Sequence, residues 1–407
     1  MRRARKCSRI VSDYDEAMSD TPLFRWQGAD GPQQARWRSE SGSPVPRRVV
    51  LADDTLAADR AYRLACEGTA LLWQGDFQNA RQLLQALARR ADKPARKKTP
   101  ADTSALTARE RFHLHRQAQA QRARTLGMLL IPLQADHSIA LRRAPDLRQA
   151  CLEAWGDSDG QHSVTSLREL LGLVGAHEWR KKGVEIAALG TPPHNRIHAH
   201  YGVFSPVRGE YLPLVAQAPL PPATQVAFDI GVGTGVLSAV LARRGVARIV
   251  ATDVSSRALA CAQDNLQRLG LAAQVQLQAT DFFPEGQAHL IVCNPPWVPA
   301  RAQSPLEQAV YDENSQMLKG FLAGARAHLF PGGEAWLILS DLAEHLGLRT
   351  RDELLQWIEA GGLHVVQRLD TRPQHGKSQN PDDPLHAARA AEVTSLWRLR
   401  AQSDTGV

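Results

Sequence analysis

Four groups of residues in this sequence have types and spacings suited to chemistry. The first, Val226-Ala227-Phe228-Asp229-Ile230-Gly231-Val232-Gly233-Thr234-Gly235-Val236-Leu237, reads as a strand, a glycine-rich turn and a helix start. Glycines there let backbone approach a ligand closely and adopt positive φ, next to the free N–H groups of a first helical turn. The run departs from the dinucleotide fingerprint G-x-G-x-x-G, since Val236 stands where the third glycine belongs, and so argues against NAD or FAD. Twenty-four residues after Asp229, Ile249-Val250-Ala251-Thr252-Asp253 ends in an acid that can accept both hydroxyls of a ribose. Asp281, in Ala279-Thr280-Asp281-Phe282, follows a further strand-like run and is placed to receive the exocyclic amine of a base. The fourth group is Ile291-Val292-Cys293-Asn294-Pro295-Pro296-Trp297, a strand running into an amide, two prolines and a large ring.

These residues need a scaffold that brings four strand ends together, and the second half of the chain has the pattern for one. Short apolar runs at 225–229, 248–252, 274–278, 289–293, 335–340, 363–369 and 393–399 alternate with helical patterns at 236–245, 255–269, 314–329 and 351–360. Such alternation predicts parallel strands joined by right-handed crossovers, a doubly wound α/β sheet. Ligands of these sheets lie beyond the carboxyl ends of the strands, where strand order reverses. All four groups sit at such ends.

In this order, the pieces resemble class I S-adenosylmethionine-dependent methyltransferases, and Asn294-Pro295-Pro296-Trp297 resembles the Asn-Pro-Pro-Tyr-type motif of those that methylate a planar nitrogen. The resemblance covers roughly residues 201–400 and implies a Rossmann-like seven-stranded sheet. It implies that Asp229, Gly231, Gly233 and Gly235 hold the methionine end of S-adenosyl-L-methionine, Asp253 its ribose and Asp281 its adenine, with Phe282 stacking. Asn294 and the Pro295 carbonyl would accept hydrogen bonds from the target NH₂, while Pro296 and Trp297 complete the motif and Trp297 stacks on the target. Orientation and electrostatics suffice for such catalysis, because the methyl donor is already activated. Trp in place of the usual Tyr or Phe is a departure from the pattern.

Ahead of the glycine turn, Gly202-Val203-Phe204-Ser205 is similar to a run in small-subunit ribosomal RNA guanine methyltransferases, which adds Phe204 to the cofactor candidates. Pro206, Arg208 and Glu210 are loosely similar to a Phe-x-Pro-Arg run ending in Glu, found in methyltransferases acting on a release-factor glutamine. The resemblance therefore implies a protein or RNA substrate, with a lean to a glutamine amide over an exocyclic amine of an RNA base, and the basic first half favours RNA or a ribosome-associated protein without choosing between them. A catalytically silent fold serving as a binding module is the alternative of another class. The intact turn, both acids and Asn294 speak against it.

The first half is less legible. Residues 1–55, rich in Arg, Asp, Ser, Pro and Gln, read as a disordered basic leader, and 56–200 as a mixed, helix-rich domain that presents the substrate. Trp73, Phe77, Ala80, Leu84 and Leu87 recur at helical spacing and predict one helix or a helical hairpin over 57–90, with Trp73 and Phe77 in its core. A helix is predicted from Ala108 to Ala123, a short strand from Leu126 to Leu133 and a helix over 164–174. Residues 1–200 hold 32 Lys and Arg against 22 Asp and Glu, whereas 201–407 hold 17 against 20, which fits either a polyanion partner for the first half or a basic solvated surface. Arg109, Arg111, Arg116, Arg122 and Arg124 could track a phosphate backbone or simply face solvent.

At 407 residues, 43% hydrophobic and 22% charged, the chain predicts two or three globular domains. It carries no apolar run of membrane-spanning length and no signal-peptide pattern. Five scattered cysteines without a Cys-x-x-Cys pair fit a reducing, cytoplasmic setting. His194, His198 and His200 lack a cysteine or carboxylate partner nearby, so no metal is expected. His375, Lys377 and His386 lie between the last two strands, where a loop would reach substrate. Tyr311, Asp312 and Ser315 suggest a lid edge, or for Asp312 a helix cap. No Gly-x-Ser-x-Gly elbow or Walker loop is present, which removes the usual hydrolase and NTPase readings.

Overall fold

A computed structural model describes residues 22–92, 106–302, 305–373 and 380–402. The chain divides into two compact units, with boundaries after Arg96, Gln119 and Val174. In chain order the first unit contributes β1 (Leu23–Gly28), β2 (Gly31–Trp37), β3 (Arg48–Ala52), α1 (Ala58–Cys66), β4 (Thr69–Trp73) and α2 (Phe77–Ala91). Next come α3 (Ala108–Leu126), β5 (Leu129–Leu133), α4 (Arg148–Trp155), β6 (Ser163–Ser166) and α5 (Leu167–Lys182). The first turns of α3 and the end of α5 belong to the second unit.

The six strands form one mixed sheet in the order β1-β2-β6-β5-β4-β3. This corrects the reading of the first half as a disordered leader followed by a mixed, helix-dominated domain. Residues 23–52, expected to be disordered, supply three strands, and residues 1–21 lie outside the described residues. In β1 and β2, Arg and Gln alternate with inward Phe24, Ala35 and Trp37, and that period of two was hidden by the polar composition. Thr69–Trp73, read as helix, is a strand buried along its whole length between β3 and β5. A strand covered on both faces has no alternation to separate it from a buried helix. Trp73 and Phe77 are core residues, as expected. The division between units falls after Val174, not after His200.

The second unit adds the short pair β7 (Val184–Glu185) and β8 (Arg196–Ile197), then α6 (Leu212–Gln217), β9 (Val226–Ile230), α7 (Val236–Arg243), β10 (Arg248–Asp253), α8 (Ser256–Arg268) and β11 (Val275–Ala279). It continues through β12 (Ala288–Cys293), α9 (Pro305–Gln308), α10 (Gln316–Ala325), β13 (Leu329–Ser340), α11 (Leu342–His345), α12 (Arg351–Ala360), β14 (Leu363–Thr371), α13 (His386–Ala391) and β15 (Thr394–Ala401). Seven strands lie in the order β11-β10-β9-β12-β13-β15-β14. This is the Rossmann-like doubly wound sheet expected, and each of its seven runs lies where the apolar pattern put it.

The switch point lies between β9 and β12, which pair in parallel with Asp229 beside Val292 and Ile230 beside Cys293. β15 runs antiparallel to both neighbours, so the sheet is mixed. The connection Arg372–Val393 carries the six-residue α13 among its described residues, and after it the chain turns back so that β15 pairs with β14. Apolar side chains cover both faces: Val240, Leu266 and Trp336 lie in one buried cluster, Phe228, Phe321 and Ile358 in the other.

Glu334 on β13 is a charge buried in this sheet. Glu334 is fully enclosed and accepts from the Arg398 Nε (2.8 Å), Arg400 Nη2 (2.7 Å) and Trp336 Nε1 (2.9 Å). Burial pushes its carboxyl up, but these hydrogen bonds outweigh it and hold the group below its ordinary value.

Candidate active site

The site assembles at the carboxyl ends of β9, β10 and β12. Asp229, one residue from the end of β9, is fully buried. Its Oδ2 accepts from the Ser238 amide (2.9 Å) and hydroxyl (2.6 Å) on α7. Its Oδ1 has no hydrogen-bond partner in the protein. Burial pushes the carboxyl up to about 6, against the two Ser238 bonds that favour its charged form, and the charge of Asp253 adds to the rise. A half-satisfied carboxylate of this kind is costly unless a cation arrives to pair it.

The turn that follows has Gly231, Gly233 and Gly235 at φ of 78°, 52° and 80°, the left-handed region that side chains disfavour. A Cβ at Gly235 would stand 3.3 Å from the Ala262 Cα on α8, and one at Gly233 would meet nothing closer than 4.0 Å. The turn is held from outside. Asn265 of α8, fully buried, donates to the Thr234 carbonyl (3.1 Å), and the Gly231 and Val232 amides donate to the Thr252 carbonyl.

At the end of β10, Asp253 accepts from the Gly233 amide (3.1 Å) and the Ser255 amide (2.9 Å). Burial pushes its carboxyl up against those two bonds. Val254 beside it is 74% exposed, an aliphatic side chain left in solvent at the mouth of the site. Asp281 is exposed. Phe282 has a positive φ of 60° and its carbonyl accepts from the Thr252 hydroxyl (2.5 Å), which ties the β11 exit to β10. The Phe282 ring lies against Gly320 of α10, where any side chain would collide with it. Phe204 is exposed on the turn ahead of α6.

Asn294 leaves β12 beside the glycine turn, half-buried, followed by buried Pro295 and half-buried Pro296. Its Oδ1 accepts from the Trp297 Nε1 at 2.8 Å. Its carboxamide also lies against the hydroxyl of Tyr211, which is buried at the start of α6. The two rings meet edge to face, with centroids 6.5 Å apart and planes at 83°.

The structure thus brings Asp229, the three glycines, Asp253 and Asn294 to neighbouring strand ends. Sequence reasoning missed Tyr211, Ser238, Asn265 and Val254. The first three act through hydrogen bonds that cross between elements and leave no periodic trace. Val254 was findable as an apolar residue directly after the strand-terminal acid.

Several of the remaining candidates have partners of their own. The His198 Nδ1 lies 2.6 Å from the Arg180 carbonyl and the His200 Nε2 lies 2.8 Å from Asp264. Among the described residues no three His, Cys, Asp or Glu side chains are grouped to hold a metal. Asp312 accepts from the Met317 and Leu318 amides and so caps α10, and Tyr311 lies under the Arg116 guanidinium at 3.9 Å. His375 and Lys377 lie outside the described residues, and His386 begins α13. No described helix is long and apolar enough to cross a membrane.

A family model described as methyltransferase small domain matches residues 194–355. A release factor glutamine methyltransferase of Cereibacter sphaeroides is 34% identical over 157 residues, covering 35% of this chain and 54% of its own length. A tRNA1(Val) (adenine(37)-N6)-methyltransferase of Vibrio vulnificus is 29% identical over 165 residues, covering 39% and 64%. One so named from Shewanella putrefaciens is 30% identical over 178 residues, covering 41% and 71%. The chain thus spans little more than half the length of the first of these relatives.

Proposed function

The chain belongs to the methyltransferase small-domain family, and from that premise we propose that it moves a methyl group from S-adenosyl-L-methionine to a planar nitrogen. The observation that carries this reading is the register of β9 and β12, which sets Asn294 one strand away from Asp229 and the glycine turn. Neighbouring strands lie about 4.8 Å apart, close enough for the donor's methyl and the target nitrogen to meet between them. The residues fit the cofactor. The orphan Oδ1 of buried Asp229 calls for a cation such as an α-ammonium, the glycines leave room for backbone approach, and the two oxygens of Asp253 suit a pair of ribose hydroxyls. Asp281, Phe282, Val254 and Phe204 would surround the base end.

When bound, the sulfonium supplies an already activated methyl group. Asn294 Oδ1 and the Pro295 carbonyl would then accept the target's two N–H hydrogens, turning the nitrogen lone pair toward the donor. Trp297 would bring its ring against the planar target, with Pro296 fixing its approach. Neither role needs a strong base; both act by alignment and by stabilising the positive charge that grows on nitrogen. A protein amide and an exocyclic amine of an RNA base present the same planar NH₂, and the curated relatives carry names of both kinds. The first unit would present either substrate.

Transfer of labelled methyl from S-adenosylmethionine into the protein and RNA fractions of a cell extract, with Asn294→Ala alongside, tests this reading. Label in one fraction that disappears in the variant is the expected result. Equal label with both enzymes, or none with either, overturns it.

A further inference from the structure

Trp297 departs from the motif's usual Tyr or Phe, and the structure gives that departure a purpose. Resting on the planar-nitrogen reading above, we propose that Trp297 and Tyr211 are positioning residues that set which way round the Asn294 carboxamide sits. An asparagine side chain turns about its last torsion with little preference, and its two orientations are nearly isosteric. Only one of them serves the reaction. With oxygen toward the target NH₂ it accepts a hydrogen; with nitrogen there, two donors face each other.

An indole N–H can only donate, so the Asn294 atom 2.8 Å from the Trp297 Nε1 must be the oxygen. The amide NH₂ is left for the hydroxyl of Tyr211, which is buried beside the carboxamide. One lone pair of Oδ1 is taken by the indole and the second stays open for the substrate. A Tyr or Phe at position 297 would bring a ring but no N–H to this place.

The test removes each partner without removing its ring. Trp297→Phe and Tyr211→Phe are assayed for the initial rate of methyl transfer into the extract fraction that the wild type labels, at saturating S-adenosylmethionine, with cofactor affinity and thermal midpoint measured on the same samples. The proposal expects a loss of about tenfold in rate for Trp297→Phe, the effect of one hydrogen bond, and a similar or smaller loss for Tyr211→Phe, with cofactor affinity within about twofold. The Asn294→Asp background supplies the second arm. A carboxylate accepts through either oxygen, so its orientation is immaterial, and there Trp297→Phe should cost no more than about twofold. Equal losses in both backgrounds, no loss in either, no turnover in Asn294→Asp alone, or a rate loss that follows a fallen midpoint overturns the proposal. A wild type that labels nothing sinks the underlying methyl-transfer reading instead.

Discussion

Replacing Asp229 by Asn should stabilise the cofactor-free protein at neutral pH while weakening its hold on the cofactor. The carboxyl is fully buried with one oxygen orphaned, and its pKa stands at about 6 against an ordinary 3.8. Because the folded value lies above the unfolded one, this group's contribution favours the fold below about pH 4. It is lost as pH rises to about 6 and is flat thereafter. At pH 7 the displacement corresponds to roughly 3 kcal/mol of destabilisation. An Asn carbonyl oxygen in the place of Oδ2 still accepts from both Ser238 donors but loses the charge-assisted part of the pair, which offsets about 1–2 kcal/mol. The net expectation is a gain of about 1–2 kcal/mol at pH 7 and none, or a small loss, at pH 4.5. Urea unfolding of both proteins at the two pH values measures this, and the difference between them isolates Asp229 from every other titrating group. Calorimetric titration with S-adenosylmethionine should show about tenfold weaker binding or worse in the variant. Wild-type affinity should climb as pH passes 6. A variant less stable than wild type at pH 7, or one that binds the cofactor equally well, would refute the reasoning.

Three further substitutions probe the scaffold. Gly235→Ala should cost about 1–2 kcal/mol from its left-handed φ and more from its contact with Ala262, so it should exceed Gly233→Ala, which meets no neighbour; paired thermal midpoints decide the order. Glu334→Gln should destabilise by about 3 kcal/mol, because Arg398 and Arg400 lose their shared carboxylate; an unchanged urea midpoint would show that the network is relaxed by water.

The legibility of the chain follows burial and periodicity. In the second unit, strands such as Ala335–Ser340 and Ile249–Asp253 are apolar, evenly spaced and punctuated by glycine or acid, so both their existence and their order of use could be read. The antiparallel course of β15 could not, since an apolar run marks a strand and not its direction. The first sheet escaped notice because β1 and β2 are polar and the inner strand Thr69–Trp73 is buried without alternation. At the site, the four residue groups announced themselves by type and spacing. Tyr211 and Ser238 did not, because a single hydroxyl aimed across to another element carries no pattern in one dimension.

The most direct test of the central claim is the position of the transferred methyl. Mass spectrometry of the digested product, labelled with deuterated methyl from S-adenosylmethionine, should find the mass increment on an amide or exocyclic amine nitrogen, and Asn294→Ala should abolish it. An increment on oxygen, carbon or sulfur would contradict the account, as would one that survives loss of Asn294.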